Sequence, residues 1–156
     1  MRLIKFIDED IDWKKYTDSD PMLKAAKRVL DKIASKGYRC YIVGGTVRDI
    51  ILGEKPHDVD FATNMPMDEI AKIWKIYDIG KSKDFGICVV REGGIQFEIS
   101  LWRKDGKYTD GRKPESIEIV SDFKTDLSRR DLRINAMAID KDGNIIDYFD
   151  GQRDIK

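Results

Sequence analysis

The sequence predicts an α+β domain with about five to seven strands and three or four helices, an expectation carried by three observations. Apolar residues recur at helical spacing in some segments, they alternate or run together in others, and glycines fall at the joints between the two kinds. At 156 residues with 41% hydrophobic content, the chain is long enough to bury one core and too short for two comfortable domains.

Each element follows from local pattern. Asp20 and Pro21 form an N-cap and first-turn pair, after which Leu23, Ala26, Leu30, Ile33 and Ala34 mark one helix face until Gly37. Residues 38–43 (YRCYIV) read as a buried strand broken by Gly44 and Gly45, and Thr46 to Leu52 as a short helix closed by Gly53. HDVDFA at 57–62 alternates polar and apolar as a strand does, and a helix is expected from Pro66 to about Tyr77, with Ile70, Ile73 and Trp74 on one face. FGICVVRE and IQFEISLW, joined by Gly93 and Gly94, have the composition of a hairpin with a two-residue turn. Lys104 to Pro114 is mostly polar and is expected to be a mobile loop. The pattern ends with a strand at 116–120, a helix capped by Asp122 and running to about Asn135, and two strands, AMAID and IIDYF, around a KDGN turn.

Composition narrows the function. Lys+Arg and Asp+Glu both total 29, so the net charge is zero and any RNA contact must come from local clustering. The opening MRLIKFIDEDIDWKK is too charged for a signal peptide, and no apolar run approaches the ~20 residues of a membrane span, so a cytoplasmic protein with no membrane partner is expected. Cys40 and Cys88 lie in apolar runs without a CxxC partner and are expected to be buried free thiols. His57 is the only histidine and no G-x-S-x-G occurs, so triad hydrolysis has no support.

Four motifs carry possible chemistry. In GGTVRD at 44–49, paired glycines let backbone approach a ligand, the N–H groups of the next helix start suit phosphate, and Arg48 adds positive charge. A tight strand-to-helix turn with Arg48 and Asp49 paired at the surface explains the same residues, and both readings stay open. On a strand, Asp58 and Asp60 share one side while Val59 and Phe61 enter the core. Two adjacent carboxylates repel unless a cation sits between them, and hard oxygen ligands favour Mg²⁺ held together with substrate phosphates. An acidic strand edge is the other reading. Glu98 in IQFEISLW shares a face with Gln96 and Ser100, and would complete a three-carboxylate site if its strand neighbours HDVDF. In SRRDLRINAM, Asp131 and Asn135 are four apart and on a helix would hold a ribose jointly, with Arg129 and Arg130 beside a triphosphate; a solvent-facing charged helix is the alternative.

GGTVRD, DVD within HDVDFAT, FEIS, DGRKP, RRDLRINAMA and IIDYFDG occur in the order seen in class II CCA-adding enzymes and bacterial poly(A) polymerases, and from about Tyr41 to Asp154 the chain resembles that family. The resemblance implies a nucleotidyltransferase (polymerase-β-like) head, a mixed five- to seven-stranded sheet flanked by helices. It implies that Asp58, Asp60 and Glu98 are the catalytic, metal-binding carboxylates for two Mg²⁺ ions. Gly44, Gly45 and Arg48 would cradle the triphosphate, Asp49 would belong to the nucleotide-binding set, Arg112 would lie in the flexible loop around Asp110 and Gly111, Arg129 and Arg130 would face the nucleotide, and Asp131 and Asn135 the ribose. The partners implied are CTP and ATP and an RNA 3′ end, tRNA foremost. Family members continue into a neck carrying an EDxxR motif, then a body and tail. No EDxxR occurs here, so residues 1–156 are expected to be a single head domain whose base choice comes from missing domains or from a second chain supplying neck and body. The head motifs do not separate CCA addition from poly(A) addition. A nucleotide-binding module without turnover is a third reading, against which the three carboxylates stand.

Overall fold

The computed structural model of the chain describes residues 3–4, 13–77, 86–105, 117–130 and 136–149. Among them the elements run β1 (Leu3–Ile4), α1 (Trp13–Ser19), α2 (Pro21–Ser35), β2 (Cys40–Val43), α3 (Gly45–Ile51), β3 (Asp60–Thr63) and α4 (Met67–Ile73). There follow β4 (Ile87–Glu92), β5 (Ile95–Leu101), β6 (Arg103–Asp105), β7 (Ile117–Ile119), α5 (Phe123–Ser128), β8 (Met137–Ile139) and β9 (Ile145–Asp147).

Capping and periodicity set α2. The Asp20 carboxylate accepts from the Met22 and Leu23 N–H groups, Pro21 needs no such partner, and Leu23, Ala26, Val29, Leu30 and Ile33 are buried along one stripe. Gly37, at φ 86°, ends it as expected. Seven strands form one sheet in the order β1-β9-β8-β2-β3-β5-β4, and β6 pairs with β7 in a separate ribbon. β3 and β5 run parallel whereas the other neighbours are antiparallel, so the sheet is mixed.

Alternation along the strands sends side chains to two faces. Ile42, Phe61, Phe97, Ile99 and Ile139 join Leu23, Val29, Leu30 and Ile33 of α2, Val47 and Ile50 of α3 and Ile70 of α4 in one core. Tyr41, Val43, Ala62, Ala138 and Ile146 form the other with Trp102 and with Phe123 and Leu127 of α5. Phe123 anchors α5 by stacking on Tyr41 at 4.3 Å and on Trp102 at 5.2 Å between ring centroids.

Several expectations need correction. The strand expected at 57–62 starts at Asp60, because its antiparallel partner β2 ends at Val43, where Gly44 turns the chain away. The Thr46 hydroxyl on α3 takes the Asp58 carbonyl instead. α4 stops at Ile73 rather than near Tyr77, since Trp74 is extended and its indole N–H donates to Glu92 of the hairpin at 3.1 Å. α5 stops at Ser128; Arg129 and Arg130 fold back on Asp126, and 131–135 lie outside the described residues. Within the polar stretch, Arg103–Asp105 is strand β6, paired with β7; the rest of that stretch, Arg112 included, lies outside the described residues.

Two elements, β1 and α1, have no counterpart in the sequence reading. α1 is held by Trp13, which donates from its indole to the Lys141 carbonyl at 3.0 Å and packs on Gly143 so closely that a Cβ there would meet its ring at 2.7 Å. Gly143, at φ 85°, belongs to the KDGN turn, where the Asp140 carboxylate accepts from the Asp142 and Asn144 N–H groups. The Gly93-Gly94 turn is as expected, with φ 60° and 78° at its two residues and Glu92 opposite Ile95.

Candidate functional site

Strand register assembles the site. Asp60 on β3 lies opposite Glu98 on β5, so the two carboxylates share one face of adjacent strands, an adjacency that the sequence left conditional. Asp58 and Asp60 are exposed while Val59 and Phe61 are buried at 4% and 0%, which keeps the predicted alternation although the strand begins later. Asp58 is held by its backbone through Thr46, a tether from the glycine turn to the acidic segment. Ser100, expected on the polar face with Glu98, is 8% exposed and donates to the Phe61 carbonyl, locking β5 to β3.

The carboxyl of Asp60 is raised above the ordinary aspartate value. Partial removal of water around it contributes most, followed by the charges of Glu98 and Asp58, while Arg130 opposes them. Negative charge is therefore crowded around Asp60, a donor set of hard oxygens that suits a divalent cation. Among the described residues, no group of three or more His, Cys, Asp or Glu is arranged to hold a metal ion, and Glu98 and Asp58 act on Asp60 through their charges without forming a coordination shell.

Val43 stands opposite Asp60, and the chain turns directly after it at Gly44, whose φ of 81° and ψ of −149° is a conformation that glycine adopts without strain. At Gly45 a Cβ would come within 3.4 Å of the Arg48 guanidinium, which therefore lies over the turn. Arg48 also pairs with Asp49 at 3.3 Å. Both features that the sequence set as alternatives are present: the open glycine backbone, and an arginine paired with its neighbour.

The end of α5 comes close enough to Asp60 for the Arg130 charge to act on it. Asp126 is fully buried and accepts from the Arg103 backbone N–H at 3.0 Å, with Arg129 at 3.3 Å and Arg130 at 3.6 Å. It holds both arginines, each 16% exposed in its side chain, beside the acidic face. Burial lowers the Arg130 pKa from its ordinary value, Arg129 and Arg103 add to that, and Asp126 and Asp60 counter it. Sequence reasoning missed Asp126, although its spacing three and four before the arginines was a usable signal. It also missed Thr46, for which no signal existed. Asp131 and Asn135 lie outside the described residues.

His57 is exposed. Cys40 and Cys88 are buried and free, and burial pushes both thiols up, Cys88 to about 11, with the Glu98 charge adding to it. They are inert packing residues. No helix of the described residues is long and apolar enough to cross a membrane.

Comparison with known proteins agrees with this geometry. The poly(A) polymerase head-domain family matches residues 40–156. The chain is 42% identical over 139 residues to the CCA-adding enzyme of Oceanobacillus iheyensis, covering 88% of this chain and 34% of that protein. With the CCA-adding enzyme of Lactococcus lactis subsp. lactis, identity is 46% over 134 residues, 84% of this chain and 33% of the other. The chain thus spans about a third of the length of the curated relatives it matches. The crystal structure of Bacillus stearothermophilus CCA-adding enzyme in complex with CTP superposes with a TM-score of 0.76 at 34% identity, over 87% of this chain and 32% of that one.

Proposed function

The chain belongs to the poly(A) polymerase head-domain family, and on that premise we propose that it is the catalytic head of a template-independent nucleotidyltransferase adding C and A to an RNA 3′ end, with tRNA as the acceptor. The observation that carries the reading is the register that sets Asp60 opposite Glu98, two residues past the Asp58 tether. CCA addition is favoured over poly(A) addition by the relatives, which are CCA-adding enzymes.

Asp58, Asp60 and Glu98 are the residues that would hold magnesium, which when bound activates the RNA 3′-hydroxyl and offsets charge on the departing pyrophosphate. The remaining work is positioning. Gly44 and Gly45 leave backbone open to the triphosphate, with Arg48 above the turn. Arg129 and Arg130, held by Asp126, supply positive charge near Asp60 that neutralises phosphate charge. By the family resemblance, Asp131 and Asn135 serve the ribose and Arg112 the nucleotide. Base choice comes from a neck and body, as further domains of the protein or as a second chain.

The reading predicts that Asp58→Ala or Asp60→Ala lowers nucleotide transfer by more than about a hundredfold, since loss even of a residue behind the ligands costs about 10–100-fold. The variants remain folded, because each removes an exposed, mutually repelling charge. Transfer by purified Asp60→Ala at the wild-type rate sinks the metal assignment.

A further inference from the structure

We infer that the RNA 3′ end approaches the carboxylates along an exposed aromatic and cationic patch of Tyr77, Lys75 and Arg91 at the outer edge of the sheet. The inference rests on the proposed function and adds the path of the acceptor strand.

One row of paired residues crosses the sheet. Val43 lies opposite Asp60, Asp60 opposite Glu98, Glu98 opposite Val89, and Val89 opposite Tyr77. Paired residues share a face, so Tyr77 stands on the same face as the two carboxylates. With strands ~4.8 Å apart, three spacings separate it from Asp60, about 14 Å.

Tyr77 is fixed by its backbone, whose N–H donates to the Val89 carbonyl at 2.9 Å, while the residue remains 37% exposed. Two cations lie over its ring, the Lys75 ammonium 5.4 Å and the Arg91 guanidinium 5.2 Å from the centroid. Both are exposed, and neither has a carboxylate partner among the described residues. In a chain of zero net charge this is the local clustering that RNA contact requires. A base stacks on this ring by displacing one of the cations over it, and the displaced cation meets a flanking phosphate.

Position along the row separates the two reactants. The glycine turn with Arg48 lies on the Val43 side of Asp60 and is suited to a triphosphate. The Tyr77 patch lies beyond Glu98 on the opposite side, the side left for the strand whose 3′-hydroxyl is extended.

The test measures binding of a fluorescein-labelled single-stranded RNA decamer with a free 3′-hydroxyl, and separately of Mg·CTP, to the wild-type chain and to Tyr77→Ala, Tyr77→Phe and Arg91→Gln. Tyr77→Ala is expected to weaken RNA binding by about tenfold or more with CTP affinity unchanged, and Tyr77→Phe to keep it, because stacking needs the ring and not the hydroxyl. Arg91→Gln should flatten the salt dependence. If Tyr77→Ala loses its circular dichroism signature, Arg91→Gln carries the test with the same readouts. Unchanged RNA affinity, or a loss confined to CTP, overturns the inference. Tyr77-dependent RNA binding without any nucleotide transfer overturns the functional reading and supports the patch, whereas normal transfer with RNA binding insensitive to Tyr77 overturns the patch alone.

Discussion

At Asp60 a single carboxyl reports how the site is built. Its raised pKa means that the folded chain holds the proton more tightly than the unfolded chain does. Linkage then fixes the sign: the charged form opposes folding, the penalty is absent below about pH 4, and it grows as pH rises from there through the raised folded value. Asp60→Asn is accordingly expected to stabilise the metal-free protein at neutral pH, by on the order of 1–2 °C in Tm because solvent screens an exposed group. The two proteins should converge below about pH 4, and melting curves across pH 3–8 check this; a variant less stable than wild type at neutral pH contradicts the crowding of negative charge. The same residue shows what one sequence can convey. That Asp58 and Asp60 point away from Val59 and Phe61 follows from alternation, which is local. That Glu98 is their neighbour depends on a parallel pairing between segments with α4 and β4 between them in sequence, for which no local signal exists.

Elements were legible where a strong local signal marks both ends. Asp20-Pro21 and Gly37 bracket α2, and the Gly93-Gly94 pair joins β4 to β5, because capping and turn chemistry act within a few residues. Boundaries set by tertiary contacts were not legible. α4 ends where Trp74 reaches Glu92, and α5 ends where two arginines return to Asp126, neither of which periodicity records. α1 is marked mainly by Trp13, whose partner Gly143 is 130 positions away in the chain, so its fit was invisible to a local reading. The clamp at the end of α5 is testable as an element. Asp126→Ala leaves Arg129 and the Arg103 N–H without their shared buried acceptor and Arg130 without its counter-charge, which should cost about 3 kcal/mol or more of stability, measurable by urea denaturation. Asp126→Asn, which keeps an acceptor for that N–H and loses the charge, should fall between; wild-type stability in Asp126→Ala shows that the clamp does not hold α5.

Over the whole molecule, the charges cancel and the chain contains no EDxxR motif. Base discrimination needs directed hydrogen bonds worth about 1–3 kcal/mol per good pair, roughly one to two orders of magnitude in selectivity. The 156-residue chain by itself is therefore expected to choose poorly among NTPs and to hold tRNA weakly and in a salt-sensitive way, with both properties improved by a chain that carries neck and body. Strict CTP-then-ATP order from the 156 residues alone contradicts that expectation. The central claim, that Asp60 and Glu98 on paired strands serve nucleotidyl transfer together with the neighbouring Asp58, is tested most directly by following labelled phosphorus. A tRNA lacking its CCA end is incubated with Mg²⁺, the chain, and CTP or ATP labelled at either the α- or the γ-phosphate. The account predicts α-label joined to the RNA, γ-label released in pyrophosphate, and neither in Asp60→Ala; γ-label on the RNA, or α-label incorporated equally by Asp60→Ala, would contradict it.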